Sequence, residues 1–438
     1  MFYTYRKVLV IAGIVFCLCS SVFAYSGGSG EPNNPYQIAT VSDWNDFMNT
    51  RADWNKNFIM TTDLNLQGIE LIPIDIFFGV FDGNNHILHN VNINASGQVG
   101  LLGSNDGIIR NICLEGVDIK AYAAEGIVGN VGGIVGNNVG LIENCHVSGI
   151  IEGQSSCGGI TGTCTDSQIS NCSFKGHING TSSVGSIAGS AESSKFVRCY
   201  AIAEIIGEQE CGGIVGRNEG SNIESCFAKG TVTGSYYTGG FAGSTGGHCG
   251  FGGEIHNCYA DVTVNCSNSA GGFAGWGSGQ IWNCYSSGKV IYDVNNHSNV
   301  GGFIGGYGTI PTGVSNSYFL ENSGPDNGFG EPLSEEQMKQ QASFIGWDFS
   351  YTDGDKADWF IQIDEYPILT WQISPADIYT DGRNNFRDFA VFAQYWMRED
   401  CAIYNYYCDW ADLDFNGSVD IDDLIILMSY WLQSGIYN

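Results

Sequence analysis

Positive charge is scarce in this chain of 438 residues: 17 Lys and Arg stand against 46 Asp and Glu, and charged residues of all kinds make up only 14%. A net charge of −29 works against nucleic acid and anionic membrane surfaces, because phosphate contact needs clustered Lys and Arg. It favours cations, calcium above all. Long apolar runs are missing too. Beyond the N-terminus no segment approaches the ~20 apolar residues that span a bilayer, so no transmembrane segment is expected. The His-Glu-x-x-His, Gly-x-Ser-x-Gly, phosphate-loop and paired Cys-x-x-Cys motifs are absent as well. Paired carboxylates for glycoside cleavage need only meet in space, so the sequence leaves them open.

What is present begins with an export signature. Arg6 and Lys7 precede an apolar run from Val8 to Cys19, and Val22-Phe23-Ala24 supplies small residues for cleavage. Residues 1–24 therefore read as a cleaved secretory signal peptide, and the expected place is extracellular or at the cell surface.

Glycine is abundant, at 62 residues, without a collagen-like period, so it belongs to turns and tightly stacked backbone. It recurs in a pentad. Gly132-Gly-Ile-Val-Gly136 returns as Gly158-Gly-Ile-Thr-Gly162, Gly185-Ser-Ile-Ala-Gly189, Gly212-Gly-Ile-Val-Gly216 and Gly239-Gly-Phe-Ala-Gly243. Further copies are Gly271-Gly-Phe-Ala-Gly275 and Gly301-Gly-Phe-Ile-Gly305, with a worn one at Val99–Gly103. A second phrase keeps pace, placing Asn144, Asn171, Arg198, Ser225, Asn257, Asn283 and Asn316 at one position. A period of roughly 27 to 33 residues over most of a chain is the signature of a solenoid. The fold class expected is all-β: a right-handed parallel β-helix over 98–323, with an N-terminal cap over 25–97 and a C-terminal cap over 324–373.

Each repeat reads as three strands: the pentad, the segment around Ile142, and the residues after Cys145. Period-two alternation turns Cys145, Cys172, Cys199, Cys226, Cys258 and Cys284 inward, and His146, Ser173, Tyr200, Phe227, Tyr259, Tyr285 and Tyr318 outward. The inward thiols read as stacked small hydrophobes. In-register neighbours do not readily adopt the ~90° disulfide torsion, although an exported chain with 16 Cys also suggests disulfides. The outward aromatics fit either stacking on sugar rings or ordinary β-surface packing. The asparagines are expected to form a buried amide column at a bend. Ser42 is expected to cap a short helix before Met48, and Ser334 with Gln337 to form a capping box. The aromatic segments 344–349, 359–361 and 366–371 are expected to plug the far end of the solenoid. His86 and His89 read as surface residues.

The last stretch carries the sharpest chemistry. In Asp412-Leu-Asp414-Phe-Asn416-Gly417-Ser418-Val419-Asp420-Ile-Asp422-Asp423, oxygen ligands fall at positions one, three and five and a backbone carbonyl at Ser418. A carboxylate follows at position twelve, and Gly417 permits the turn. A hard cation collects six to eight oxygens, and this is the spacing of a calcium loop. Subtracting 35 finds a second copy in which Asp377, Asp381, Arg383 and Asp388 take the places of Asp412, Asn416, Ser418 and Asp423. There Tyr379 replaces a ligand and Asn384 replaces Val419, so this copy is expected to bind calcium weakly or to be structural. Cys401 and Cys408, between the two motifs, are the best disulfide candidates.

This duplicated loop-helix resembles a type I dockerin over about residues 374–433, within a small all-α domain at 374–438. The resemblance implies calcium as cofactor, a pseudo-twofold pair of loop-helices, and docking to a cohesin-like scaffold through Phe386, Arg387, Ile421 and Asp422. These pairs depart from the family's Ser-Thr type and differ between copies. The repeats resemble the GLUG motif, which occurs in bacterial surface proteins and in non-catalytic parts of secreted IgA peptidases. The function expected is a secreted, non-catalytic protein for adhesion or for polysaccharide or partner binding. The alternative, a β-helix polysaccharide lyase or glycoside hydrolase delivered by its dockerin, stays open.

Overall fold

The computed structural model describes residues 25–122, 129–246, 253–293, 299–307, 313–349, 357–378, 384–402, 406–414 and 416–431. The expected signal at 1–24 lies outside these. Among the described residues no helix is long and apolar enough to cross a membrane.

From Tyr36 to Leu333 the chain coils, and each turn of the coil pairs in parallel with the next. Equivalent side chains in neighbouring turns are 26, 27, 32 or 33 residues apart, and because strands pair ~4.8 Å apart, like stacks on like. Three sheets result. A seven-stranded sheet takes the start of each pentad, as at Cys157–Gly158, and a nine-stranded one takes its end and the residues that follow, as at Thr161–Thr165. The largest sheet holds both remaining segments, for example Gln168–Ser170 and Ser173–Asn179. The pentad is therefore not one strand, as the sequence suggests, but the corner between two sheets. The two later segments share one sheet.

The corner explains the glycines. A Cβ on Gly212 would lie 2.2 Å from the carbonyl oxygen of Val215, and one on Gly239 would lie 2.1 Å from that of Ala242. The last glycine of the pentad is confined by the previous coil: a Cβ on Gly216 would come 2.4 Å from the Val184 nitrogen. Side chains would push the coils apart.

Between the two segments of the large sheet the backbone turns through left-handed space. Asn111, Asn144, Asn171, Arg198, Ser225, Asn257, Asn283 and Asn316 all have φ between 45° and 55°, a region Asn tolerates better than most residues. The bend is where it was expected, but the amide column is buried only in part, at Asn257. Asn144 and Asn171 are exposed, and the side chains bond each other instead, Asn144 Nδ2 donating to Asn111 Oδ1 at 3.0 Å and Asn283 Nδ2 to Asn257 Oδ1 at 3.3 Å. Fully buried amides stand at another corner, where Asn105 Nδ2 donates to Asn138 Oδ1 at 2.8 Å.

Inside, the columns are apolar. Ile142, Ile169, Phe196, Ile223, Ile255 and Ile281 pair in sequence, and Phe241, Phe273 and Phe303 stack with ring centroids 4.7 and 4.9 Å apart. Cys145, Cys172, Cys199, Cys226, Cys258 and Cys284 are all buried free thiols. Two more, Cys157 and Cys211, alternate with Val184 in a neighbouring column. Burial pushes the thiols of Cys157, Cys164 and Cys211 up to about 12.

The ends are closed differently. At the first coil the helix Val41–Asn49 lays Trp44 and Phe47 over Phe58, Phe77 and Phe81. Its cap is Thr40, not Ser42: Thr40 Oγ1 accepts from the Asp43 amide at 3.1 Å while Asp43 Oδ2 accepts from the Thr40 amide at 2.8 Å. At the last coil Asn327 Nδ2 reaches the carbonyls of Val300, Ile304 and Gly305, and Glu331–Leu333 pairs with Tyr318–Leu320. Ser334 and Gln337 form the expected capping box on Glu335–Met338. His86 and His89 lie half-buried beside Asp63 and Glu115.

The aromatic segments do not plug this end. They fold back as a strap along the outer face of the large sheet. Phe344 and Trp347 sit by Tyr318, Trp359 by Tyr285 and Tyr259, and Trp371 by Phe227 and Tyr200. Polar tips are satisfied along the way. Tyr285 Oη donates to the Pro367 carbonyl at 2.7 Å, Gln372 Nε2 donates to Tyr259 Oη at 3.0 Å, and Trp371 Nε1 donates to the Ser225 carbonyl at 2.9 Å.

Two outcomes follow from this packing. Gly212→Val should destabilise the stack by more than the ~1–3 kcal/mol of ordinary overpacking, read as a lower midpoint in urea, because backbone rather than a flexible side chain opposes it. The thiols' contribution to stability should be flat below their ordinary pKa of 9.0 and fall as pH rises towards about 12, since the folded state holds them protonated after the unfolded chain has released its protons. Replacing Cys157 and Cys211 by Val should keep the fold and reduce that alkaline slope in pH-dependent melts.

Candidate functional site

The C-terminal segment has a core of its own, built from Ala376, Ile378, Phe392, Cys401, Cys408, Ala411, Leu413, Val419 and Leu427. Two helices of similar length frame it, Phe386–Tyr395 and Ile421–Ser429. Each opens on a capping box, Asn385 with Asp388 and Asp420 with Asp423. The 35-residue duplication read in the sequence is therefore a duplication of local structure.

In the second copy the side chains of Asp412, Asp414 and Asp423 converge, with one oxygen from each within 4.8 Å of the others. Asp412 and Asp423 are fully buried and Asp414 is exposed. Backbone amides hold the carboxylates in place. Asp412 accepts from Asn416 at 3.1 Å and from Gly417 at 3.0 Å. Asp423 accepts from Leu413 at 2.6 Å, Asp414 at 3.1 Å and Asp420 at 2.8 Å. Gly417 takes φ +97°, which a side chain would strain. Burial, then the charge of Asp423 and of Asp414, raises the pKa of Asp412 above the usual carboxylate range.

Asn416 stands between these groups and solvent, its Nδ2 donating to Asp414 Oδ2 at 2.9 Å and its Oδ1 accepting from the Ser418 amide at 2.9 Å. Two buried like charges facing a third are costly without a cation. Oxygen donors only, at one, three, five and twelve along a curled loop, are what a hard divalent ion takes. The residues fit calcium.

The first copy is described only in part. Asp377 and Asp388 are buried, and Asp388 Oδ2 accepts from the Asn385 amide at 2.7 Å, as Asp423 does from Asp420. Asp381, Arg383 and Tyr379 lie outside the described residues. Asn384, which breaks the apolar pattern set by Val419, has a structural task. Its Nδ2 donates to the Tyr430 carbonyl at 2.9 Å and to Ser374 Oγ at 3.2 Å. Val419 correspondingly exchanges backbone bonds with Met397 and Arg398, both at 2.8 Å. Each loop thus meets the end of the other copy's helix.

Cys401 and Cys408 form a disulfide with Cα atoms 5.1 Å apart, and the Cys401 amide donates to the Gly417 carbonyl at 3.0 Å, so the bridged loop braces the turn of the second motif.

The four residues singled out for docking are all on the surface. Phe386 is 76% exposed and Ile421 58%, and Arg387 and Asp422 are exposed beside them. They belong to wider apolar patches that the sequence reading missed. Ile421, Ile425 and Met428 line one face of the second helix, and Phe386, Phe389, Trp396 and Met397 are exposed on and after the first. The signal was there as i, i+4, i+7 spacing, masked by a helix that is apolar almost throughout.

The outward aromatic column is a different matter. Phe227, Tyr259, Tyr285 and Tyr318 are buried beneath the strap, so stacking of sugar rings on Tyr259 and Tyr285 is excluded. They face away from the coil's core, as alternation requires, but into a second core made by chain far downstream.

The family model of the GLUG motif matches residues 211–233 and 234–265. Halomucin of Haloquadratum walsbyi is 28% identical over 157 residues, 31% of this chain and 2% of halomucin. A protein of Evansella cellulosilytica described as a Gly-rich membrane protein is 36% identical over 106 residues, 23% of this chain and 12% of that one. The chain thus spans only a small part of the length of these relatives. Among solved structures, a Bacteroides ovatus protein described as an immunoglobulin A1 protease gives a TM-score of 0.45 at 18% identity, covering 80% of this chain and 96% of that chain. A second structure, an IgA1 protease, gives 0.45 at 17%, covering 58% and 22%. Residues 211–265, whose pentads resemble those of the coils on either side, match the GLUG motif.

Proposed function

We propose that this is an extracellular, non-catalytic parallel β-helix protein that presents a binding surface for a polysaccharide or protein partner. A calcium-stabilised, dockerin-like C-terminal module would attach it to a cohesin-like scaffold. The observation that carries the calcium part is the convergence of buried Asp412 and Asp423 with Asp414. Asp412, Asp414 and Asp423, with Asn416 Oδ1 and the Ser418 carbonyl, would hold the ion, whose two charges offset the buried carboxylates. The matched capping boxes and the crossed contacts of Asn384 and Val419 support a paired loop-helix module. Exposed Phe386 and Ile421 at equivalent places support a docking face with two related halves.

A place outside the cell is supported by the export signature at residues 1–24, by the low content of basic residues, and by partial similarity to a halomucin and to a Gly-rich membrane protein.

Titration of the full chain with calcium should show binding that Asp423→Ala abolishes at the second loop. At a hundredfold excess over Kd, calcium should stabilise the module by about 2.7 kcal/mol, and the variant should lose that gain. Unchanged binding in Asp423→Ala would discard the ligand set. Phe386→Glu with Ile421→Glu should leave calcium binding intact and abolish calcium-dependent capture of a cohesin-type module. Capture that survives both changes removes the docking face.

A further inference from the structure

The strap covers the outward column only as far as Trp371. Beyond it the same column continues clear of the strap through half-buried Tyr200, buried Ser173, exposed His146 and half-buried Cys113, which are register partners on successive coils. Trp371 forms the end wall, its ring 6.1 Å from that of Tyr200 and inclined at 45°. The result is a groove of about 510 Å³ along the outer face of the sheet. Its floor offers half-buried aromatic surface at one end and hydrogen-bonding groups along its length, with His146 Nδ1 2.8 Å from Ser173 Oγ. Exposed Asn144 and Asn171 flank it on the side of the bend.

The charges of the groove run against the rest of the molecule. In a chain of net charge −29, basic side chains on the coil typically meet a carboxylate on their own or a neighbouring turn, as in Arg110 with Asp82, Lys195 with Glu224 and Arg217 with Glu219. Lys175 and Arg198 both line the groove and both are exposed. Among the described residues neither has a carboxylate within 4.0 Å. The groove's acid, Glu115, faces His89 at 3.3 Å. Two exposed cations with no carboxylate beside them among the described residues, next to aromatic faces and a row of amides, make a site for an anion that also has ring faces and hydroxyls.

We propose that this groove is a subsite for an acidic polysaccharide. A uronate ring packs on Tyr200 against Trp371, with its carboxylate drawn by Lys175 and Arg198. Neighbouring sugars run along the coils, where donors and acceptors repeat at strand spacing of ~4.8 Å. The inference rests on the reading of the coil as an extracellular binding surface, and it names the place and the ligand class. A nucleic acid is disfavoured because its charge, about one per 1.7 Å of duplex, is much denser than one carboxylate per sugar and is repelled more strongly by the acidic remainder of the surface.

The test uses the full chain and a panel of uronate polymers (polygalacturonate, alginate and hyaluronate), each paired with its carboxyl-reduced form. A single-stranded oligonucleotide serves as polyanion control. At least one uronate polymer should bind, with affinity that falls as salt is raised and falls on carboxyl reduction. Lys175→Gln and Arg198→Gln, both at exposed positions, should each weaken binding by about tenfold or more. Uronate binding that is unchanged in both variants overturns the groove while leaving a binding surface elsewhere on the coil. Oligonucleotide binding as tight as that of the uronate, and equally sensitive to the variants, overturns the saccharide assignment. A chain that binds neither the acidic polymers nor their neutral forms overturns both the subsite and the polysaccharide reading beneath it.

Discussion

In-register backbone pairing between successive turns is the constraint from which the rest of the structure follows. Once each strand bonds its counterpart in the next coil, every side chain is placed ~4.8 Å from its equivalent, and a residue type that suits one coil must suit its neighbours. Glycine at the sheet corner, asparagine at the left-handed bend and cysteine on the inner face are three answers to that demand. Glycine is there because the carbonyl three residues on leaves no room for a Cβ, as at Gly212 and Val215. Asparagine tolerates positive φ and bonds its own kind across coils. The thiol is small enough to stack without opening the coil.

Variation is permitted where one column compensates another. A Cβ on Gly159 would touch Phe174, and one on Gly240 would touch Ala260, so that column faces the pentad. Where the pentad residue grows from Ile160 to Phe241, the facing residue shrinks from Phe174 to Ala260. Between these two coils the exchange roughly conserves volume, the kind of change a close-packed interior accepts, whereas Ile214 goes with Ala228 and Phe303 with Phe319. The outward aromatics follow a different logic. Phe227, Tyr259 and Tyr285 stack face to face, with centroids 5.0 and 5.1 Å apart. That leaves an apolar ridge which the tryptophans of the strap bury.

How much of this the sequence disclosed depended on how local the cause was. The period, the inward thiols and the place of the bend were legible because each is a residue choice repeated in every coil. The splitting of the pentad between two sheets was not, since a corner two residues wide leaves no alternation to read. The cover over Tyr259 was invisible for another reason, as its partner Gln372 is 113 residues away. In the C-terminal module the spacing of Asp412, Asp414 and Asp423 was legible because ligands of one loop are neighbours in sequence. Asn384 was legible only as a departure, because the group it serves, the Tyr430 carbonyl, comes from the other helix. The groove beside Tyr200 had no sequence signature: its aromatic wall, its amides and its cations come from separate coils and from the strap.

The backward course of the strap settles where the chain leaves the coil. Gln372 lies against Tyr259 and Trp371 against Ser225, so the backbone enters the C-terminal module from midway along the stack, not from its last turn. A pull on that module would reach the middle coils through the tryptophan and tyrosine contacts before any terminal turn felt it. Peeling would therefore have to begin at the strap.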